Sequence, residues 1–269
     1  MGKFSKVLIV SDMDDTLLDK DKKIPQSNID AIDYFTKNGG YFIIATGRSW
    51  SNTKYVWEQI SGNGPVICQN GAVIVDSKTD EILKAYPVDD DFADVVRDVT
   101  AKFPEIATLI QTIAQRSYIY RANIQSKTYN SKKMTHEKYI DAELEDITPL
   151  WMKGVLFAEN SVLKKAQVYI ENTYPNLETN FSNEILLEVQ KKGVNKGSSV
   201  YEVSRMLGID ECDVYCAGDQ YNDKSMVERF NGCVPRGSEE GMIEIADYIL
   251  DDCNEGAIAS LISILDEKY

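Results

Sequence analysis

The sequence predicts an α/β protein: a Rossmann-like, doubly wound parallel sheet with an α+β domain inserted into it. Three observations predict this. Short apolar runs alternate with helical patterns at both ends of the chain, as strands covered on both faces by helices require. Several of those runs end in clusters of acids, hydroxyls or a lysine, where open α/β sheets bind ligands. The middle of the chain has a different texture, with longer alternating strands and only two helical patterns.

Taken in order, residues 7–10 read as the first buried strand. Lys3 and Lys6 precede it, but Asp12, Asp14 and Asp15 follow at once, so it does not continue as the apolar core of a signal peptide. A helix over 27–38 ends at Gly39-Gly40, and strand 41–45, helix 49–60 and strand 66–68 follow. The middle offers helix 91–103, strands 107–114 and 117–120, strand 153–158, helix 162–174 and strand 185–189. The pattern then returns: helix 196–207 stopped by Gly208, strand 214–217, helix 223–230, strand 232–234, helix 238–245, strand 248–250 and helix 256–267. The expected organisation is a core from 1–84 with 191–269, and an inserted cap domain at 85–190. No repeat or low-complexity linker interrupts it.

Composition narrows the function. The 269 residues carry 29 Lys and Arg against 43 Asp and Glu, a formal charge of −14, so phosphate polymers and acidic membranes are not expected partners. Five cysteines are odd in number and lack a Cys-x-x-Cys pair. Cys212 and Cys216 are four apart, but no second pair accompanies them and His136 is the one histidine. Reduced thiols in a cytoplasmic protein are the expectation, not a zinc site. With one histidine, acid–base chemistry falls to carboxylates. Lys132, Lys133 and Lys138 near His136 suggest no ligand set.

Four segments carry chemistry. Ser11-Asp12-Met13-Asp14-Asp15-Thr16 puts acids on one turn after the first strand, where they repel unless a cation or proton relieves them. Ala45-Thr46-Gly47-Arg48-Ser49 offers a hydroxyl and a glycine-bared backbone at a helix N-terminus, an anion site. Asn195-Lys196-Gly197-Ser198 opens a helix with a lysine. Gly218-Asp219-Gln220-Tyr221-Asn222-Asp223 is an oxygen-rich turn after a strand, of the hard-ligand type that suits Mg²⁺.

In this order the four segments resemble the motifs of the haloacid dehalogenase superfamily. Thr46-Gly47-Arg48, Gln69-Asn70-Gly71-Ala72 and Asn195-Lys196-Gly197 resemble its Cof-type subfamily, which carries a large α/β cap (type IIB). Asp15 stands where glycine is commoner, and Val234-Pro235-Arg236-Gly237 where many relatives have Ala-Met or a similar pair before Asn. The resemblance implies a Mg²⁺-dependent phosphatase of small phosphorylated metabolites, sugar phosphates above all. It implies Asp12 as nucleophile forming an aspartyl-phosphate, Asp14 as acid and base, and Thr46 and Lys196 as catalytic partners. The implied metal site is Asp12, Asp14 (through its carbonyl), Asp219 and Asp223. The implied phosphate and substrate contacts are Met13, Thr46, Gly47, Arg48, Asn70, Lys196 and Asn222. A phosphomutase on the same fold, or a catalytically silent ligand-binding member, stays open as an alternative. The cap is expected to select the leaving group. Tyr118, Tyr120, Arg121, Trp151 and Lys153 are candidate contacts there, with core or surface roles as the plainer assignment. A monomer or small homo-oligomer is expected.

Overall fold

The computed structural model describes residues 2–89, 91–132 and 139–269, so His136, Lys133 and Lys138 lie outside the described residues. The chain divides into two compact units, one from residues up to Lys84 with Asn195–Tyr269, the other Ala85–Val194.

The first unit opens with strand β1 (Leu8–Ser11), helix α1 (Gln26–Lys37), β2 (Tyr41–Ile44) and α2 (Trp50–Trp57). β3 (Val66–Cys68), β4 (Val73–Val75) and β5 (Ile82–Ala85) follow and form a three-stranded sheet of their own. Here the structure departs from the simple alternation of the sequence. β3 pairs antiparallel with β4, and touches the main sheet through one parallel bridge, Ala45 to Ile67. The cause is the intervening turn: Gln69, Asn70 and Gly71 all have positive φ, which reverses the chain in three residues.

The second unit contains α3 (Phe92–Lys102), β6 (Ala107–Thr112), β7 (Ser117–Tyr120), α4 (Ile124–Lys132), β8 (Ile140–Asp141), β9 (Trp151–Phe157), α5 (Asn160–Thr173), β10 (Leu177–Asn183) and β11 (Leu186–Lys191). Its strands make one sheet in the order β10-β11-β9-β6-β7-β8, antiparallel except for the β7–β8 edge. Val95, Val96 and Val99 of α3 and Leu163, Ala166 and Ile170 of α5 bury one sheet face, with Ile110, Leu156, Leu187 and Val189 beneath them.

The chain then completes the first unit with α6 (Lys196–Leu207), β12 (Val214–Ala217), α7 (Lys224–Val227), β13 (Asn231–Pro235), α8 (Glu240–Ile243), β14 (Tyr248–Leu250) and α9 (Ala257–Lys268). The main sheet is parallel throughout, as the sequence predicts, and its strand order is β14-β13-β12-β1-β2. Val200 and Val203 of α6 and Met226 and Val227 of α7 pack on Leu8, Val10 and Ile43 on one face. Strand alternation turns Ile9 and Tyr215 to the other face, and α1 and α9 pack together against β2 and β14. Because β12, β1 and β2 are neighbours, their carboxyl ends bring loops 12–17, 46–49 and 218–223 side by side. Among the described residues, no helix is long and apolar enough to cross a membrane.

Candidate active site

Asp12 follows β1 directly, and its amide is held by the Ala217 carbonyl at 2.8 Å, which ties the β1 loop to the β12 loop. The chain then makes one wide turn, Met13–Leu17, closed by Leu18 N donating to Met13 O at 2.9 Å. Asp15 sits in it at φ +59°, the left-handed region that glycine fills easily and aspartate tolerates. Aspartate thus occupies a backbone conformation that glycine also fills, at the position where the resemblance has glycine more often. Its carboxylate receives Lys22 Nζ at 2.8 Å.

Lys196 is the first residue of α6. A capping box fixes its position: Asn195 Oδ1 accepts from Ser198 N at 2.9 Å, and Ser198 Oγ accepts from Asn195 N at 3.0 Å. Gly71 lets the β3–β4 turn approach this start, because a Cβ at its φ of +98° would lie 2.3 Å from Asn195 O. The lysine is fully buried. Its Nζ donates to Asp12 Oδ1 at 2.6 Å and to Asp223 Oδ1 at 2.5 Å. The other Asp223 oxygen accepts the amides of Asp219 and Gln220 at 3.1 and 3.2 Å, so Asp223 both holds Lys196 and shapes the turn. Gly218 makes room for it, since a Cβ there would meet Asp223 Cβ at 2.5 Å. Asp219 accepts from Thr16 Oγ1 at 2.9 Å.

Asp12, Asp219 and Asp223 are buried and offer carboxylate oxygens within 4.8 Å of one another. Fully ionised, three carboxylates against one ammonium would leave two negative charges out of water. Burial, opposed by Lys196 and reinforced by Asp223 and Asp14, pushes Asp12 up to about 7. Burial, with the charges of Asp12 and Asp223, pushes Asp219 up to about 8. Burial works against the Lys196 cation, but Asp12 and Asp223 outweigh it and raise its pKa. A hard divalent cation fits this donor set: it takes oxygen ligands and offsets the two uncompensated charges.

Asp14 is turned elsewhere. Its Oδ2 accepts from Arg48 Nε at 2.8 Å and its Oδ1 from Arg48 Nη2 at 2.5 Å, a two-point fork, with Lys22 Nζ at 3.3 Å. Tyr55 OH takes the remaining Arg48 nitrogen at 3.0 Å. Thr46 is buried at the end of β2, where its hydroxyl accepts from Arg48 N at 3.2 Å and keeps its own proton to donate. Gly47 lies half-buried between them, and Met13 is fully buried. Asn222 donates to Asn70 Oδ1 at 3.3 Å, which joins the 218–223 loop to the β3–β4 turn.

The structure thus joins the expected residues in three groups: Asp12, Lys196, Asp219 and Asp223; Asp14 with Arg48, beside Thr46; and Asn70 with Asn222. Thr16, Lys22 and Tyr55 were not singled out from the sequence. Thr16 lies in the same motif as Asp12, which was the available signal; Lys22 and Tyr55 carry none. In the second unit, Tyr118 is in the α3–α5 core and Tyr120 packs on it. Trp151 sets its ring edge on Phe92, and Arg121 binds the Thr100 carbonyl at 3.0 Å. Lys153 is buried, with its Nζ 2.9 Å from Glu188 Oε1.

A family model for haloacid dehalogenase-like hydrolases matches residues 9–262. The chain is 25% identical to the 5-amino-6-(5-phospho-D-ribitylamino)uracil phosphatase YcsE of Bacillus subtilis, over 95% of this chain and 94% of that one. It superposes on the haloalkanoate-superfamily phosphatase BT1666 from Bacteroides thetaiotaomicron with TM-score 0.86 at 16% identity, covering 98% and 96% of the two chains. The subclass IIB sugar phosphatase BT4131 gives TM-score 0.84 at 19% identity, over 97% and 99%.

Proposed function

The chain belongs to the haloacid dehalogenase-like hydrolases, and from that membership we propose a Mg²⁺-dependent phosphatase of small sugar phosphates that works through an aspartyl-phosphate on Asp12. The observation that carries this reading is the buried Asp12–Lys196–Asp223 bridge with Asp219 beside it. It supplies a carboxylate nucleophile, a fixed cation and oxygen donors in one place.

Asp12 attacks phosphorus, a new P–O bond forms to its carboxylate, and the bond to the leaving oxygen breaks. Lys196 holds Asp12 by one oxygen and offsets charge as phosphate approaches. Thr46 donates its hydroxyl proton to a phosphate oxygen, and the Met13 and Gly47 amides do the same; positioning of this kind provides most of the catalysis in phosphoryl transfer. Asp14 gives its proton to the leaving alcohol, then takes one from the water that attacks phosphorus, and the Asp12 carboxylate is restored. Both Asp14 oxygens are taken up by Arg48, so acid work requires it to release one of those bonds. Asn222 contacts a phosphate oxygen, and Asn70 reaches the substrate beyond its phosphate. Asp12, the Asp14 carbonyl and Asp219 would hold Mg²⁺, with Asp223 behind them. When bound, it supplies positive charge to phosphate and carboxylates alike.

The unit at 85–190 chooses the leaving group. The buried free thiols of Cys68, Cys216, Cys233 and Cys253 suit the reducing cytoplasm. Phosphate release from sugar phosphates with Mg²⁺ tests the reading. It is expected to stop in EDTA and to fall at least about a thousandfold in Asp12→Asn. Accumulation of an isomeric sugar phosphate without free phosphate would make the chain a mutase instead.

A further inference from the structure

Two left-handed residues meet beside Asp14. Asp15 has φ +59° and Lys22 has φ +62°, a region that side chains other than glycine's seldom occupy. Such conformations persist where the surrounding structure over-determines them, and they gather at functional sites. Asp19 fixes the turn that carries Lys22. Its carbonyl accepts from Lys22 N at 2.9 Å, and its amide donates to Lys23 O at 2.8 Å. Its Oδ1 accepts the amides of Asp21 and Lys23 at 2.9 and 2.8 Å.

The turn sends Lys22 back to the loop after β1. Its Nζ donates to Asp15 Oδ1 at 2.8 Å and stands 3.3 Å from Asp14 Oδ1. All three side chains are half-buried, and ion pairs as exposed as these contribute little to stability. Stability of the fold therefore does not account for the strained turn. Nor does the backbone call for aspartate at 15, since glycine would take the same conformation at no steric cost. What Asp15 adds is a carboxylate that holds Lys22 against Asp14. Oδ1 of Asp14 consequently meets two cations, Arg48 Nη2 and Lys22 Nζ, while Oδ2 accepts from Arg48 Nε.

We propose that Lys22 is a positioning residue for Asp14, and that Asp15 acts by holding Lys22 in place. The proposal rests on the phosphatase reading and deepens it. Acid work requires Arg48 to release one of its bonds to Asp14. When the Nε bond goes, Lys22 and Arg48 Nη2 retain Oδ1, and Oδ2 presents its proton to the leaving oxygen. The proton passes across as the bond from that oxygen to phosphorus breaks and the bond from Asp12 forms. Without Lys22, Oδ1 loses one of the two cations that stop the carboxyl from turning as Arg48 lets go.

The test uses the full chain with Mg²⁺ and compares two kinds of ester by kcat/KM, which covers the steps up to the aspartyl-phosphate. Glucose 6-phosphate, ribose 5-phosphate and glycerol 3-phosphate have alkoxide leaving groups that need a proton, whereas the phenolate of p-nitrophenyl phosphate leaves without one. Lys22→Met is expected to lower kcat/KM about tenfold for the alkyl esters, mainly through kcat, and less than about twofold for the aryl ester. Lys22→Arg keeps the cation and should recover most of the alkyl-ester rate. Asp15→Asn keeps the side-chain shape in a backbone that asparagine tolerates, and should lower the alkyl-ester rate in the same direction. Added to Lys22→Met it should cost nothing further, because it acts through Lys22. Should Lys22→Met fail to fold, the split between esters in Asp15→Asn decides. Equal losses on both kinds of ester would mark a cation that merely attracts phosphate, and would overturn the proposal. Parental alkyl-ester rates in Lys22→Met, additive losses in the double variant, or turnover of the aryl ester alone by the parent would overturn it too. No phosphate release from any of these esters would defeat the phosphatase reading instead.

Discussion

Lys196 is buried between Asp12 and Asp223, so removing its charge leaves two carboxylates facing each other out of water. Lys196→Met should therefore lose about 3–5 kcal/mol of stability without metal, read by denaturant unfolding in EDTA, besides losing turnover. Asp12→Asn removes a carboxylate that burial already disfavours and should melt no lower than the parent in EDTA; opposite outcomes for the two variants would contradict the charge balance described for the site. Arg48 grips Asp14 by two nitrogens on one rigid plane. Arg48→Lys keeps the charge but loses the fork, and should lower kcat/KM about ten- to a hundredfold. An unchanged steady-state rate would show that Asp14 needs no such positioning. Asp12, Asp14, Thr46, Lys196 and Asp219 were legible in the sequence because each sits at a strand end or helix start within a short motif. The Arg48–Asp14 fork was not. Its members are 34 residues apart, and their pairing depends on side-chain direction, which no spacing encodes.

At the scale of elements, the site depends on how closely the β3–β4 turn approaches the start of α6. Gly71→Ala would place a Cβ against Asn195 O in a left-handed backbone. It should cost at least about 1–3 kcal/mol and lower turnover by displacing the capping box that aims Lys196. Wild-type activity and melting temperature together would exclude that coupling. In the second unit, Asp98 of α3 accepts from Tyr169 and Tyr174 at 2.7 and 2.6 Å and ties α3 to α5. Those hydroxyls hold its carboxyl below the usual range. Its contribution to stability is therefore present above the ordinary carboxylate pKa near 4 and is lost as pH falls below it. Unfolding of Asp98→Asn compared with the parent should show a stability gap at pH 6–7 that closes toward pH 3. The strongly patterned elements were readable, and β7, β12, β14 and α6 lie where the sequence put them. α4 (IQSKTYNSK) has no apolar stripe and β10 (LETNFSN) is mostly polar, so neither could be found by periodicity. β4 and β5 were hidden because the reversal at Gln69–Gly71 depends on positive φ at two non-glycine residues.

Across the whole molecule, a net charge of −14 gathers part of its excess into one buried centre, where three acids face a single lysine. On the proposed reading, local acidity would become a means of holding phosphate once a divalent cation is bound, whereas the sum of charge over the surface only argues against polyanionic partners. The doubly wound core was legible because its strand ends carry recognisable motifs in chain order. The central claim is that Asp12 carries phosphate covalently. Rapid quenching during turnover of a sugar phosphate, followed by borohydride reduction and peptide mass spectrometry, tests it directly. Conversion of residue 12 to homoserine is the expected result. Phosphate release at full rate with residue 12 never modified, or undiminished in Asp12→Asn, would contradict it.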